Sequence, residues 1–183
     1  MIYTDQQLIE KIRKMIIDFE DEVVEFKEAR TNYSFKDIGK YFSALGNEAN
    51  IRGFKEAWRI FGVTNKKEIV GTAYRQDGNL QNLKKEIVGG TNERATFMEI
   101  YEVNMDGHRI VAFQIPPATR GIPRTWNGAA YAREDENYKS SANGQGGHNK
   151  KSGWSRLVQR NCRRCYFRRF RSRSSFLYKI VCC

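Results

Sequence analysis

The stretch EVVEFKEA, residues 22–29, sets Glu25 and Lys27 two residues apart between Val24 and Phe26. On a strand, that spacing puts both charges on one face. A carboxylate there can hold a cation in place for a phosphate, or the two form an ordinary exposed pair. Glu20 lies five residues upstream in a Glu-Asp-Glu run, which on composition alone is a solvated helix end. Further cations stand in turns and loops: Lys66 and Lys67 in TNKKE, Arg120 and Arg124 in RGIPR beside Trp126, and Arg133 in YAR. Such positions suit phosphate docking more than base reading, and each also fits a plain polar surface. His108 follows a turn and His148 sits in a Gly/Asn/Ser stretch. No Ser/His/Asp or Cys/His set for nucleophilic catalysis is visible, and there is no glycine-rich phosphate loop.

The other chemistry-bearing stretch is CRRCYFRRFRSRSSFLYKIVCC, which holds all 4 cysteines. Cys162-x-x-Cys165 has zinc-knuckle spacing, but Cys182 and Cys183 are adjacent and no His is near, so no metal site is expected. The arginines interleaved with aromatics suit single-stranded nucleic acid. The net charge of +11 belongs to this tail. Eleven of the 32 Lys and Arg lie from Lys150 onward, no acid follows Glu136, and the remaining 21 cations balance the 21 Asp and Glu. The body is therefore neutral, and its charge is no argument for nucleic acid.

The elements that must position these residues read as follows. Thr4 and Gln7 form a capping box for an amphipathic helix over 4–19, with Leu8, Ile12, Met15, Ile16 and Phe19 on one face. Residues 22–29 read as a half-exposed strand. Ser34 caps a second helix through Phe35, Ile38, Phe42 and Leu45, with Gly46 as a stop. Residues 57–63 and 68–72 read as a hairpin joined by TNKK. A third helix spans about 78–90. Asp106-Gly107 and Asn127-Gly128 mark two more hairpins. The order predicts an α+β domain: a mixed, mostly antiparallel sheet with about three helices, followed by an irregular or disordered tail. The expected parts are a domain over 1–137, a Gly/Asn/Ser linker over 138–153 and a basic tail over 154–183. The charged N-terminus and short apolar runs predict neither a signal peptide nor a membrane span, and so a cytoplasmic protein.

Several segments together resemble the Schlafen AlbA-type domain, in its bacterial regulator-like branch. They are EDEVVEFKEA, YFSALGNEANIRGFKEAWRIFGVTNKKEIVGT, NLKKEI, TFMEIYEV, HRIVAFQIPPATRGIPRTWNG and AYARED, in family order over roughly 18–137. The resemblance implies an α+β architecture and contact with DNA or RNA. In the animal Schlafen branch it also implies metal-assisted RNA cleavage by three carboxylates. Two of these map onto Glu20 and Glu25. The third would follow Gly62-Val63, where this chain has Thr64 and Asn65, and a divalent metal site needs its carboxylates.

The expectation is a non-catalytic DNA-binding module of a transcriptional regulator, contacting nucleic acid through Lys27, Lys66, Lys67, Arg120, Arg124 and Arg133. No cofactor is expected in this fragment. The family's ATP-binding parts would lie downstream, and self-association is left open. Two alternatives stand beside it: a Mg- or Mn-dependent endoribonuclease using Glu20 and Glu25, and an assembly domain that touches no nucleic acid. The acid-free tail reads as a shift of frame. Arg168 to Arg173 can be written AGA AGA TTT AGA TCC AGA, which shifted by one base encodes Glu-Asp-Leu-Asp-Pro. Sequencing the gene around its stop codon is expected to show acidic, family-like residues in that frame. Early stops there would end the idea.

Overall fold

A computed structural model describes residues 2–17 and 23–133, together with the strand segments 165–171 and 176–182. The helices are α1 (Asp5–Ile17), α2 (Phe35–Arg52) and α3 (Asn82–Val88). The strands are β1 (Val24–Lys27), β2 (Ala57–Phe61), β3 (Glu99–Met105), β4 (His108–Ile115), β5 (Thr125–Trp126), β6 (Ala129–Arg133), β7 (Cys165–Arg171) and β8 (Phe176–Cys182).

One sheet has the order β1-β2-β4-β3, with β1 and β2 parallel and the other pairs antiparallel. The parallel pair is made by crossing over through α2, as parallel neighbours require. A second sheet has the order β5-β6-β8-β7, all antiparallel. Its last two strands are an addition to what the residue pattern predicts. This is the α+β architecture expected from the element order, with both Asp106-Gly107 and Asn127-Gly128 at hairpin turns.

Apolar residues separate onto the two faces of the first sheet. Leu8, Ile12 and Met15 of α1 pack on Val24, Phe26, Trp58, Ile60, Val103 and Ile110. Ile38, Phe42 and Leu45 of α2 pack on the opposite face with Phe61, Phe97, Phe113 and Trp126. The start of α1 is the capping box read from the sequence. Gln7 N donates to Thr4 Oγ1 at 3.3 Å and Thr4 N to Gln7 Oε1 at 3.1 Å. Glu56 anchors this helix to the sheet, accepting from Lys11 (2.8 Å), Tyr3 (2.9 Å), Trp58 (3.2 Å) and Gln114 (2.5 Å).

Three readings need correction. Gly46 does not stop α2, which runs on to Arg52 and ends at Gly53, φ 74°. A glycine is needed at 46 for approach, because a Cβ there would lie 2.4 Å from Arg124 Nη1. Residues 57–63 and 68–72 do not pair as a hairpin. β2 is claimed on both edges by β1 and β4, and the pairing across TNKK is confined to its tip, the bridge Val63–Ile69 with Thr64 N donating to Glu68 O and Val70 N to Gly62 O, both at 2.9 Å. The third helix begins at Asn82 instead of about 78, after a run of turns.

α2 carries a polar pair one turn apart that grips the second sheet. Ser43 Oγ donates to Arg124 O at 2.7 Å and accepts from Tyr131 N at 3.3 Å. Asn47 Nδ2 donates to Arg124 O (2.9 Å) and Tyr131 O (3.1 Å), and its Oδ1 accepts from Arg124 N at 2.7 Å. One turn before Ser43, Gly39 lies flush against Trp126: a Cβ would come within 2.0 Å of the indole.

Two outcomes follow. Gly39→Ala and Asn47→Ala are each expected to lower stability by about 2–3 kcal/mol, the first by overpacking a rigid ring and the second by orphaning buried backbone groups. Urea unfolding checks both. An unchanged Gly39→Ala midpoint would contradict the packing described. Glu56, Glu86, Glu99 and Glu102 all titrate below the ordinary glutamate value of 4.5. At Glu56, burial pushes the carboxyl up, but the donors Lys11, Gln114 and Tyr3 outweigh it. Groups lowered in the folded state contribute stability above pH 4.5 and lose it as pH falls through their folded values. The melting temperature is therefore expected to drop steadily below about pH 4.5, and less steeply in Glu56→Gln.

Candidate functional site

β1 is buried along most of its length, not half-exposed. Val24 and Phe26 point to the α1 face. Glu25 and Lys27 point to the α2 face, which receives Arg59 and Phe61 of β2 at the same register positions. Glu25 is only 7% exposed. A carboxylate that deep must be paired or strongly hydrogen-bonded. Its partner is Arg133 at the end of β6, with Nη2 at 2.9 Å. The same guanidinium donates through Nη1 to Val24 O at 2.9 Å. Arg133 thus ties the second sheet to the edge of β1.

Beside this pair lies Arg59, 1% exposed in the middle of β2. Its guanidinium carbon sits 3.7 Å from the Tyr41 ring centroid and 4.9 Å from that of Tyr33. Nη2 donates to the Tyr33 hydroxyl at 2.6 Å. Among the described residues, Nε and Nη1 have no hydrogen-bond partner. Each desolvated, unsatisfied donor costs about 1–3 kcal/mol, so the two together cost about 2–6 kcal/mol, which the contact with Tyr41 offsets only in part, at about 2 kcal/mol. Burial pushes the Tyr33 hydroxyl up to about 12, although Arg59 pulls the other way. Burial, then the nearby Arg59, hold Lys27 below the ordinary lysine value. Asp37, in the first turn of α2, is close enough to act on both Lys27 and Tyr33, and it pairs with Lys40 at 2.7 Å. Residue pattern alone does not single out Arg59. Its one signal is a lone arginine inside the apolar run AWRIF.

The structure brings Glu25, Lys27 and Arg133 together and separates the rest. Lys67, φ 70°, lays its ammonium 3.8 Å from the Phe26 ring centroid, on the opposite face of β1. Lys66 is exposed in the same turn. Arg120 is exposed in a loop that Asn50, in the last turn of α2, holds through Thr119 O. An 18-residue helix is about 27 Å long, so Arg120 stands far from the Lys27 cluster. Arg124 is 3% exposed. Its fork is spent on Pro116 O (2.7 Å), Pro117 O (3.0 Å) and Glu93 (3.2 Å), a core tie and not an outward contact. Glu20 lies outside the described residues. Thr64 is buried, and its hydroxyl accepts from Glu68 N at 3.1 Å, which closes the turn. Among the described residues no group of three His, Cys, Asp or Glu could hold a metal ion. Among them, too, no helix is long and apolar enough to cross a membrane.

A mixed sheet backed by α1 on one face, with α2 and a buried basic cluster on the other, defines a small α+β domain. The family model described as Schlafen, AlbA_2 matches residues 20–142, and the chain belongs to that family. A comparison with curated proteins returns no match. Among solved structures the chain is similar to the DIP2311 protein of Corynebacterium diphtheriae, at 15% identity and a TM-score of 0.45. That alignment covers 70% of this chain and 25% of the other, so the chain spans about a quarter of that protein. It is also similar to the N-terminal domain of a protein related to the ATP-dependent DNA helicase RecG from Nitrosomonas europaea. There the identity is 14% and the TM-score 0.41, over 80% of this chain and 99% of that one.

The Glu25–Arg133 tie generates a test. Glu25→Gln and Arg133→Met are each expected to cost up to about 3 kcal/mol, because each strands a largely buried charge. The double variant is expected to cost clearly less than the two singles together. Strict additivity in denaturant unfolding would show that the pair is not coupled.

Proposed function

We propose that this domain is a non-catalytic nucleic-acid-binding module, of the kind that serves a transcriptional regulator, and that DNA is its ligand. The observation that carries the reading is the charge balance at the β1 edge. Lys27, Arg59 and Arg133 converge there around Glu25, in a body whose overall charge is neutral. Membership of the Schlafen, AlbA_2 family supports the same reading. Lys27 and Arg133 would meet the phosphate backbone at this edge, with Lys66, Lys67 and Arg120 as outlying contacts. Arg124 would act only by shaping the loop that carries Arg120.

The endoribonuclease reading has one observation in its favour, a buried carboxylate at the family position, Glu25. Two features weigh against it: Glu25 is engaged by Arg133, and the place of the third carboxylate is a threonine committed to its own turn. If it held, Glu20 and Glu25 would share Mg or Mn, and RNA cleavage would vanish in Glu25→Gln.

The test is binding of duplex DNA and single-stranded RNA by a version of the chain ending at Glu136, across a salt series. DNA binding without the tail is expected. Replacing Lys66 and Lys67 by serine should reduce the slope of log affinity against log salt by about 2. If affinity disappears with the tail, only a charge effect remains and the domain reading fails. Cleavage of RNA under Mg or Mn would instead favour the second reading.

A further inference from the structure

We infer that Arg59, with Lys27 at its side and Tyr33 as its cover, forms an anion subsite that takes a single phosphate group. Among the described residues Arg59 makes no ion pair, and its Nε and Nη1 have no hydrogen-bond partner. A buried cation left in that state is costly unless something anionic completes it. Its surroundings select the kind of anion. The Tyr41 ring centroid lies 3.7 Å from the guanidinium carbon, and the fork edge of an arginine is the side that matches phosphate oxygens two at a time. Lys27 is close enough to act on Arg59 and adds a second charge. The start of α2 lies beside them, since Tyr33 precedes its cap Ser34 and Asp37 acts on both Lys27 and Tyr33. The positive dipole end of an 18-residue helix lies there.

Among the described residues, the nearby carboxylates each have a cationic partner. Glu25 stands opposite Arg59 on the neighbouring strand but is held by Arg133. Asp37 is drawn off by Lys40, and Glu28 pairs with Arg30. Entry requires Tyr33 to swing away, because its hydroxyl sits on Nη2 and its ring lies against the guanidinium. Tyr33 belongs to the connection 28–34, whose residues 30–32 and 34 are exposed, so this movement leaves the core packing of α2 intact. The subsite does not depend on nucleic acid being the ligand. A backbone phosphate, a terminal phosphate or a free phosphate offers the same chemistry.

The test follows the melting temperature of the full chain at constant ionic strength, with chloride exchanged for inorganic phosphate. Wild-type protein is expected to melt higher as phosphate rises. Arg59→Met should be at least as stable in chloride and should lose the response, with phosphate affinity down by about tenfold or more. Lys27→Met should weaken the response, and Arg59→Lys, which keeps the charge but not the fork, should fold and respond less. Repeating the series with an oligonucleotide bearing a 5′-phosphate and with its dephosphorylated twin identifies the source. A response unchanged in Arg59→Met and Arg59→Lys would mean an adventitious ion only. A strong loss of stability in chloride for Arg59→Met would make the arginine a structural prop, and either result overturns the proposal. Serine at Lys66 and Lys67 is the control: lost oligonucleotide binding with an intact phosphate response would sink the proposed surface and leave this subsite standing.

Discussion

The grip of Ser43 and Asn47 on the backbone of Arg124 and Tyr131 is the interaction on which the other features of this domain rest. The β5–β6 hairpin brings little of its own to pack with, since β5 has 2 residues and β6 has 5. Strands that short do not hold themselves in place. Two side chains one helical turn apart satisfy backbone groups at both 124 and 131, and so fix the register of the β5–β6 hairpin against α2. Everything at the β1 edge is downstream of that. Arg133 follows two residues after Tyr131 on β6, so the hold on Tyr131 helps to place it at Glu25.

A charge cluster built this way is pre-organised from two sides. The parallel pairing of β1 with β2 sets Glu25 and Lys27 beside Arg59, and the hairpin supplies Arg133. The aromatic rings of Tyr33 and Tyr41 then do what a carboxylate would ordinarily do for a buried arginine, providing a negative face without a negative charge. Among the described residues the cluster therefore gathers three cations, Lys27, Arg59 and Arg133, around Glu25.

Much of the fold is legible in the residues, and the illegible parts have physical causes. The Thr4–Gln7 box, the Ser34 cap and the Asp-Gly and Asn-Gly turns are local devices, and they stand where the sequence puts them. The hairpin read across TNKK shrinks to its tip because local pattern cannot say which neighbour a strand will choose, and β2 is taken by β1 and β4. Gly46 reads as a stop because glycine usually ends helices, whereas here it makes room for Arg124, a residue 78 positions away. The same blindness affects the site. Alternation gives the shared face of Glu25 and Lys27 correctly, but not its burial, because α2 covers it. Arg124 has the look of a surface cation in a Pro/Gly loop, and only the three-dimensional path of that loop turns it inward. Arg59 is hidden for the opposite reason, as a single charge among strand-forming neighbours.

Gly39, Ser43 and Asn47 follow one another at four-residue steps, and Gly46 lies beside them. Together they form a slot along α2 that receives Trp126, Arg124 and β6. Each residue of a helix turns about 100° from the last. One residue inserted or deleted between Gly39 and Asn47 would swing half of the slot away from the hairpin while leaving the other half aligned. This stretch of α2 therefore has a fixed length. The connections on either side of the helix are under no such rule, and length variation among related chains should collect in them.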